Sequence, residues 1–437
     1  MSSPWEAYLP DAHEEFSLGY LLGYDPNLLF SDWDELEEQF LLVIDAARDQ
    51  RKIKWKHSRL NWSEHVAKLL HEGSFNATYR MSHEAFNTLL AFLCPMITPN
   101  LVKALNSCDE EIYPEMVMAV GLRWLSGGSY LDIKNVYGIS TPTVYRLRDI
   151  FLDAILACDA LEIRFPHTPE ELENIRKQFT AKSSNKVMQG CVGAMDGLFK
   201  TIKLPSIADS KGNQRAFFSG HYNDYGLNVQ AICDARLRFL FFAIAAPGKT
   251  GDQVAYELLP IRDIIESLPD GLYIVADAAY MLTDHVLVPF TGGDRQFPEK
   301  DTFNYFLSQL RIRIEMAFGL FTNKWRVCRK PLETNLVNAS RVLEACARLH
   351  NFVIDHDFDN QSDNEEDDDV DLQIVAMEGS PLGWGYLPTV EAFQPIPGTS
   401  TIRDAILRHV SRNGYRRPPE NIQRRELELH ELEPHLM

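Results

Sequence analysis

Three acidic residues occupy positions where a carboxylate could take part in chemistry. Asp196 lies in the motif Gly-Ala-Met-Asp-Gly at 193–197, Asp277 directly follows the apolar run 272–276, and Glu315 lies inside a predicted helix. A carboxylate at the end of a buried strand is poorly solvated unless a cation meets it. Mg²⁺ suits such groups because it is a hard ion that takes carboxylate oxygens. Two such ions about 4 Å apart can activate a water and stabilise the leaving oxygen of a phosphodiester.

Each acid also has a purely structural interpretation. Asp196 stands before Gly197, as turn residues often do. Asp277 could cap the segment that follows it. Glu315 stands four residues after Arg311, which is the spacing of a common surface ion pair worth about 0.2–0.5 kcal/mol. The order and the spacing of the three acids together favour the metal site.

The elements that would position these acids lie in the second half of the chain. Apolar runs predict strands at 187–202, 225–233, 238–246 and 272–276. A long helix is predicted at 303–324, with an apolar face at helical spacing. Strands followed by mixed helices and strands imply a mixed α/β or α+β domain.

A helix-turn-helix pattern precedes these strands, and before it a helix that Ser82 can cap is predicted to stop ahead of Pro95. The segments 130–137 and 140–150 flank a break at Gly138. The second helix presents Arg146 and Arg148, which could meet phosphates or bases of DNA. Since any small helical domain can show this pattern, a purely structural role stays open.

Length and charge limit the interpretation. The 437 residues suggest two or three domains, and no apolar run reaches the ~18 residues of a membrane helix. The net charge of -19 argues against a protein coated in basic surface. Ten of the acids lie in 355–371, which holds no Lys or Arg, and such a segment is predicted to be disordered. The seven cysteines form no C-x-x-C pair, so no structural zinc site is expected.

Several motifs, taken in their order along the chain, resemble the PIF/Harbinger-type DDE transposases and the nucleases derived from them. The resemblance covers roughly 79–353 and is strongest over 190–325. The similar stretches are 193–197, 217–222, 225–234, 246–248 with Asp252, 276–280, 289–292, 311–319, 324–326 and the closing Leu-His-Asn at 349–351.

The resemblance implies a ribonuclease H-like catalytic domain preceded by a helical, helix-turn-helix-like domain. Asp196, Asp277 and Glu315 would be the three catalytic acids and would bind Mg²⁺ or Mn²⁺. The implied function is cleavage of phosphodiester bonds at the terminal inverted repeats of a DNA transposon. The alternative is a catalytically silent, domesticated adaptor that binds DNA or chromatin. A metal-dependent hydrolase of other phosphoesters is a weaker third option.

The family also implies partners and a location. Its members typically act with a separate Myb/SANT-like DNA-binding protein, so DNA and such a protein are the expected partners. The expected location is the nucleus, with a cytoplasmic pool and no membrane association. Whether the chain forms a homo-oligomer stays open. Lys324 and Arg326, at the end of the Glu315 helix, could touch a DNA backbone. For Asp252 we favour a helix-capping role, and for His221 and Tyr222 a structural one.

Together these observations predict five regions. They are an acidic N-terminal region with one helix at 1–60, a helical helix-turn-helix-like domain at 61–180, a ribonuclease H-like DDE nuclease domain at 181–354, an acidic disordered linker at 355–400, and a basic-then-acidic tail at 401–437.

Overall fold

A computed structural model of the protein describes residues 59–97, 112–357 and 400–419. The helix predicted within the N-terminal region 1–60 and most of the acidic segment 355–371 lie outside these residues. Among the described residues, no helix combines the length and the apolar character that crossing a membrane requires.

Helices fill the described chain ahead of the sheet. Their bounds are α1 (Trp62–His71), α2 (Phe75–Tyr79), α3 (His83–Ile97), α4 (Pro114–Leu125), α5 (Tyr130–Tyr137), α6 (Thr141–Ala157) and α7 (Pro169–Lys182). The sequence predicted that α3 would stop before Pro95, because proline cannot donate the helical hydrogen bond. That prediction was wrong: α3 includes Pro95 and continues to Ile97, whose side chain is buried.

The helix-turn-helix pattern is formed by α5 and α6, with the bounds of α5 as predicted. Gly138 ends α5 in the left-handed conformation at φ 60°, and its N–H bonds to the carbonyl of Lys134. This is the usual way in which glycine terminates a helix. The Ser140 side chain then caps α6 by accepting from the N–H of Thr143 at 3.4 Å.

One mixed sheet follows the helices. Its strands are β1 (Cys191–Thr201), β2 (Phe218–Ser219), β3 (Asp224–Cys233), β4 (Phe239–Pro247), β5 (Tyr273–Val275) and β6 (Val286–Leu287). β3 pairs antiparallel with β1 on one side and with β4 on the other. β5 pairs parallel with β1, and β6 pairs parallel with β5. The sheet therefore runs in the order β4-β3-β1-β5-β6, with β2 attached to β3.

The later helices cover the sheet. They are α8 (Asp252–Glu257), α9 (Ile261–Glu266), α10 (Pro298–Lys324), α11 (Leu336–Asp357) and α12 (Thr401–Arg412). α10 packs against β1, β3 and β5 through its apolar face. α11 extends to Asp357, three residues into the segment predicted to be disordered.

The closing Leu-His-Asn motif pins the β3–β4 turn to α11. Asn351 accepts from the N–H of Phe239 and donates to its carbonyl, both at 2.7 Å. The His350 ring bonds to the carbonyl of Leu237 at 2.8 Å. Burial lowers the pKa of His350 to about 4, so this ring stays neutral at physiological pH. The motif therefore has a structural role at the edge of the sheet.

Buried apolar side chains from the helices before the sheet and from the sheet itself form one continuous core. The chain is mixed α/β, as the sequence predicted. The boundary predicted near residue 180 stays a prediction.

We expect Gly121→Ala to destabilise the fold. A Cβ at this position of α4 would lie 2.0 Å from Cδ1 and 2.8 Å from Cβ of Phe151, a buried residue of α6. Overpacking of this kind costs about 1–3 kcal/mol, and the better helix propensity of alanine returns at most ~1 kcal/mol. Denaturant unfolding would measure the loss.

Gly220→Ala is the matched control, because a Cβ there meets nothing within 4 Å. Equal stabilities of the Gly121→Ala variant and the control would show that α4 and α6 do not depend on this close approach.

Candidate functional site

The predicted acids Asp196 and Asp277 stand at the same level of two adjacent parallel strands: Asp196 lies within β1, and Asp277 follows β5. Ala194 of β1 lies opposite Val275 of β5, and each aspartate stands two residues further along its chain. Since the two strands run in the same direction, the pairing carries both aspartates to neighbouring positions. The sheet thus brings together two acids that are 81 residues apart in sequence.

The third acid is connected to the first through an arginine. Arg311 and Glu315 lie one turn apart on α10, with Nη1 of Arg311 at 2.5 Å from Oε1 of Glu315. The same Nη1 lies 3.9 Å from Oδ2 of Asp196. The surface ion pair considered from the sequence therefore exists, but its arginine also faces the first aspartate. Arg311 is the cation that the buried acids meet in this structure.

Burial dominates the electrostatics of the two aspartates. Desolvation raises the pKa of Asp196 well above its ordinary value, and the charge of Asp277 raises it further, against the opposing effect of Arg311. Desolvation likewise raises the pKa of Asp277, although its Oδ1 accepts from the N–H of Ala279 at 2.8 Å and Arg311 lies nearby. The site holds more negative charge than its cations neutralise.

The structure adds a further carboxylate, Asp252. Desolvation raises its pKa, and the charge of Asp277 adds to this. A Cβ on Gly197, the residue after Asp196, would lie 2.1 Å from Oδ1 of Asp252. Glycine at 197 is what allows this carboxylate to approach β1. The helix-capping role favoured from the sequence was wrong: Gly251 is the N-cap of α8, and Asp252 is its first residue.

Two amides of β3 hold Asp252 in place. Oδ1 of Asp252 accepts from Nδ2 of Asn228 at 2.8 Å and from Nε2 of Gln230 at 3.1 Å. Gln230 lies opposite Gly197 in the β1–β3 register and accepts from the buried hydroxyl of Tyr280 at 2.7 Å. Since Tyr280 stands three residues after Asp277, the network links the Asp252 side chain to the Asp277 loop.

Sequence reasoning missed this network. Its signal was present: Asn228 and Gln230 are polar residues at alternating positions of a strand that is otherwise almost entirely apolar. Both are buried, and buried polar groups require partners. An alternating polar pair on the covered face of a strand therefore indicated acceptors across the sheet.

Tyr222 lies near the acids, and His221 lies near Asp252. The ring of Tyr222 stacks on that of Phe199, with centroids 4.2 Å apart. Burial raises the pKa of Tyr222 to about 12, with smaller effects from the charges of Asp252, Asp196 and Asp277. The charge of His221 lowers the pKa of Asp252. The stacking supports the structural role predicted for Tyr222.

The basic residues predicted to touch DNA lie on two different elements. On α6, Arg146 is exposed, whereas Arg148 lies over Trp124 and pairs with Asp149 at 2.7 Å. After α10, Arg326 is exposed.

Lys324 at the end of α10 is less accessible than the sequence suggested. It is largely desolvated, and this burial lowers its pKa to about 8. A lysine in such surroundings is poorly suited to contact a DNA backbone.

The arrangement is chemically able to accept a cation, although it is not preassembled. Among the described residues, no three His, Cys, Asp or Glu side chains stand close enough together to hold a metal ion. The donors nevertheless fit a hard divalent cation, because desolvated carboxylates with raised pKa values gain most from a positive charge. Glu315 would have to exchange Arg311 for that cation.

Comparisons with known proteins agree with this geometry. Residues 195–351, which contain all three predicted acids, match the family model described as DDE superfamily endonuclease. The chain is 24% identical over 324 residues to "Protein ALP1-like" of Arabidopsis thaliana, covering 68% of this chain and 75% of that protein.

Animal proteins are also similar to this chain. The human "Putative nuclease HARBI1" is 22% identical over 288 residues, or 64% of this chain and 79% of the relative, and the rat protein of that name is 22% identical over 257 residues, or 57% and 70%. No solved structure matches the chain.

We expect Asp196→Asn to stabilise the protein in metal-free buffer. Because the folded pKa of Asp196 is raised, the folded state binds more protons than the unfolded state, and the stability that this proton provides is lost as the pH rises. Asparagine removes the buried charge and keeps an oxygen for the N–H of Gly197. At pH 7.5 in EDTA the melting temperature should rise by at least about 2 °C.

The gain should shrink as the pH falls towards the ordinary carboxyl range. Asp270→Asn is the control, because Asp270 is exposed and should show no such trend. A variant less stable than the parent protein at every pH would contradict the electrostatic interpretation.

Proposed function

We propose that the chain is a divalent-metal-dependent DNA endonuclease of the Harbinger-type transposases and the nucleases derived from them, because residues 195–351 match the DDE superfamily endonuclease model and the chain is similar to the animal proteins named "Putative nuclease HARBI1". Its substrate would be the terminal inverted repeats of a DNA transposon. Asp196, Asp277 and Glu315 would be its catalytic acids and its metal ligands. A family model that covers 195–351 supports nuclease chemistry in this part of the chain.

One observation carries the proposal. Two half-buried aspartates stand at matching positions, one within β1 and one just after β5, and a helix that packs on those strands carries Glu315, which is linked to Asp196 through Arg311. Partly desolvated carboxylates without full compensation are costly for a fold. Carboxyl groups whose pKa values are strongly raised cluster at functional sites.

The residues present fit Mg²⁺ or Mn²⁺ by the chemistry of their donors. When bound, such ions activate a water and stabilise the leaving oxygen of a phosphodiester. Asp196 and Asp277 would supply carboxylate oxygens from the β1–β5 strand pair, and Glu315 would supply a third from α10. Arg311 offsets part of the charge of Asp196 and Glu315 in the free protein, and after release it could face the substrate phosphate, which guanidinium groups bind well.

A ribonuclease H-like fold is part of the proposal. Its support is the sheet order β4-β3-β1-β5-β6, in which the first three of these strands are antiparallel and the last two run parallel to β1. The helix-turn-helix-like helices α5 and α6 precede this sheet in the chain. Asp196 on the first strand, Asp277 after a later parallel strand and Glu315 on a following helix suit that fold.

The second candidate is a catalytically silent adaptor that binds DNA or chromatin. The ion pair between Arg311 and Glu315 at 2.5 Å favours it, because a glutamate held by arginine is not free to bind a metal. Persistence of all three acids favours the nuclease.

We expect Asp196→Asn, Asp277→Asn and Glu315→Gln each to lower DNA nicking by at least about 10²-fold, because each removes a charged ligand from the reacting centre. The assay would use the full chain, Mg²⁺ or Mn²⁺, and a supercoiled plasmid that carries the inverted repeats flanking its gene. Asp270→Asn should keep full activity.

The outcome separates the two candidates. Nicking that persists in all three acid variants would show that the site is misassigned. A parent protein that binds the repeats but never nicks them, with either metal, would favour the adaptor.

We further propose that a Myb/SANT-like protein brings the chain to DNA and into the nucleus. The support is the family likeness and the net charge of -19, which disfavours tight DNA binding by the chain alone. A fluorescent fusion expressed alone should distribute between cytoplasm and nucleus, and co-expression of such a partner from the same genome should concentrate it in the nucleus. Complete nuclear localisation without the partner would overturn this proposal.

A further inference from the structure

Four arginines from three separate elements lie near one another at the C-terminal end of α10. Arg80 follows α2, Arg123 lies in the last turn of α4, and Arg326 and Arg329 lie in the short turn that follows α10. We call these four residues the arginine cluster. The cluster is formed by residues from the helices before the sheet and from the turn after α10, the helix that carries Glu315.

Glycines bring these elements into contact. Gly127 follows α4 at φ +91°, and a Cβ there would lie 3.0 Å from Cβ of Arg326. A Cβ on Gly128 would meet Arg123, at 2.8 Å from its carbonyl oxygen and 3.2 Å from its Cγ. The two-glycine turn therefore lies against Arg123 and Arg326 at once, and it allows both to approach closely.

The cluster retains a large positive excess. The charged neighbours that act on Arg80 are Arg326, Arg123 and Arg329, and together with burial they lower its pKa. Arg123 pairs with Asp132 of α5 at 3.2 Å, and Arg329 donates to the Asn323 side chain. Among the described residues, no carboxylate pairs with Arg80, Arg326 or Arg329 within salt-bridge distance.

A further acid near the end of α10, Asp357, is already engaged. Asp357, at the end of α11, accepts from the N–H of Ser82 at 3.1 and 3.3 Å, and its charge acts on Lys324. Nε of Arg80 is buried and has no hydrogen-bond partner. In a protein of net charge -19, a surface that concentrates guanidinium groups without paired carboxylates favours the binding of an anionic ligand, which would reduce their mutual repulsion.

We propose that the arginine cluster binds the phosphate backbone of duplex DNA beside the cleavage site. Guanidinium groups match phosphate oxygens in a two-pronged geometry. From Glu315 to Lys324, α10 advances nine residues, or about 14 Å at 1.5 Å per residue. That distance is well within one turn of B-DNA, about 34 Å. A duplex with one phosphate at the acids can therefore meet the cluster with another.

Only the position of the cleaved phosphate in this proposal rests on the proposed function; backbone binding by the cluster does not. The contact is independent of sequence, because phosphates position a duplex and carry no base information. Through the ion pair of Arg123 with Asp132, the cluster also adjoins α5 of the helix-turn-helix unit. The surface thus extends DNA contact from the acids towards that unit.

The test is binding of a fluorescein-labelled 30-base-pair duplex to the full chain in EDTA, followed by anisotropy between 50 and 200 mM salt. Arg326→Gln/Arg329→Gln should weaken binding by about tenfold and make the slope of log affinity against log salt shallower by about 2, because each phosphate contact contributes about 1. Arg326→Lys/Arg329→Lys, which keeps both charges, should restore most of the slope.

The matched control is Arg408→Gln/Arg412→Gln, which removes two exposed arginines of α12 and should leave affinity and slope unchanged. An equal loss of affinity in the two double variants would show that only the net charge matters, and this would overturn the proposal. An unchanged affinity in the Arg326→Gln/Arg329→Gln variant would overturn it too. Tighter binding to single-stranded DNA or to RNA than to duplex would also overturn it.

Two further measurements keep the conclusions separate. The melting temperature of the cluster pair should equal that of the parent protein, and the lysine pair decides the outcome if the glutamine pair unfolds. Asp196→Asn should bind the duplex in EDTA as well as the parent does. If the parent chain never nicks DNA but the Arg326→Gln/Arg329→Gln variant still loses binding, the proposed nuclease function is refuted and the proposed DNA contact of the arginine cluster stands.

Discussion

The site depends on carboxylates that are shielded from water and whose negative charge is only partly compensated. Asp196 is part of β1, and desolvation and Asp277 both oppose its ionisation. Arg311 is the positive charge that faces it, at 3.9 Å, while closer to Glu315. A carboxylate that is buried without full neutralisation lowers stability. A fold can retain this loss of stability where a bound cation supplies the compensating positive charge.

The rest of the fold keeps these charges close. In the parallel pairing of β1 with β5, Asp196 and Asp277 each stand two residues beyond the paired residues Ala194 and Val275. α10 packs on both strands. Gly197 leaves room for Asp252, which Asn228 and Gln230 hold by hydrogen bonds. These contacts keep the carboxylates close despite their mutual repulsion, because strands, helices and hydrogen bonds hold each acid in position.

Much of this architecture was readable from the sequence. Apolar runs predicted the strands of the sheet, and the break at Gly138 predicted the two helices around it, since glycine in a left-handed turn ends a helix whatever surrounds it. The roles of the three acids, which the order of the motifs suggested, stay a prediction. About half of the net charge lay in 355–371, so the acidic balance of the rest of the chain is smaller than the total indicates.

What the sequence missed depended on tertiary contacts. Asp252 was assigned to a helix cap because its partners on β3 are more than 20 residues away. Pro95 was expected to end a helix that in fact continues to Ile97, where the side chain is buried. The arginine cluster unites Arg80 with Arg326, and no local pattern reports such a meeting. Arg311 was readable only as a partner of Glu315, since its approach to Asp196 requires the packing of α10 on the sheet.

Calorimetric titration of the purified chain with Mn²⁺ in the absence of DNA would show whether the acids form a cation site. We expect saturable binding that is lost in an Asp196→Asn/Asp277→Asn variant and kept in Asp270→Asn. Binding should also release protons, because the carboxyl pKa values are raised and a bound cation would lower them. Identical Mn²⁺ binding by the parent chain and the doubly substituted variant would contradict this account.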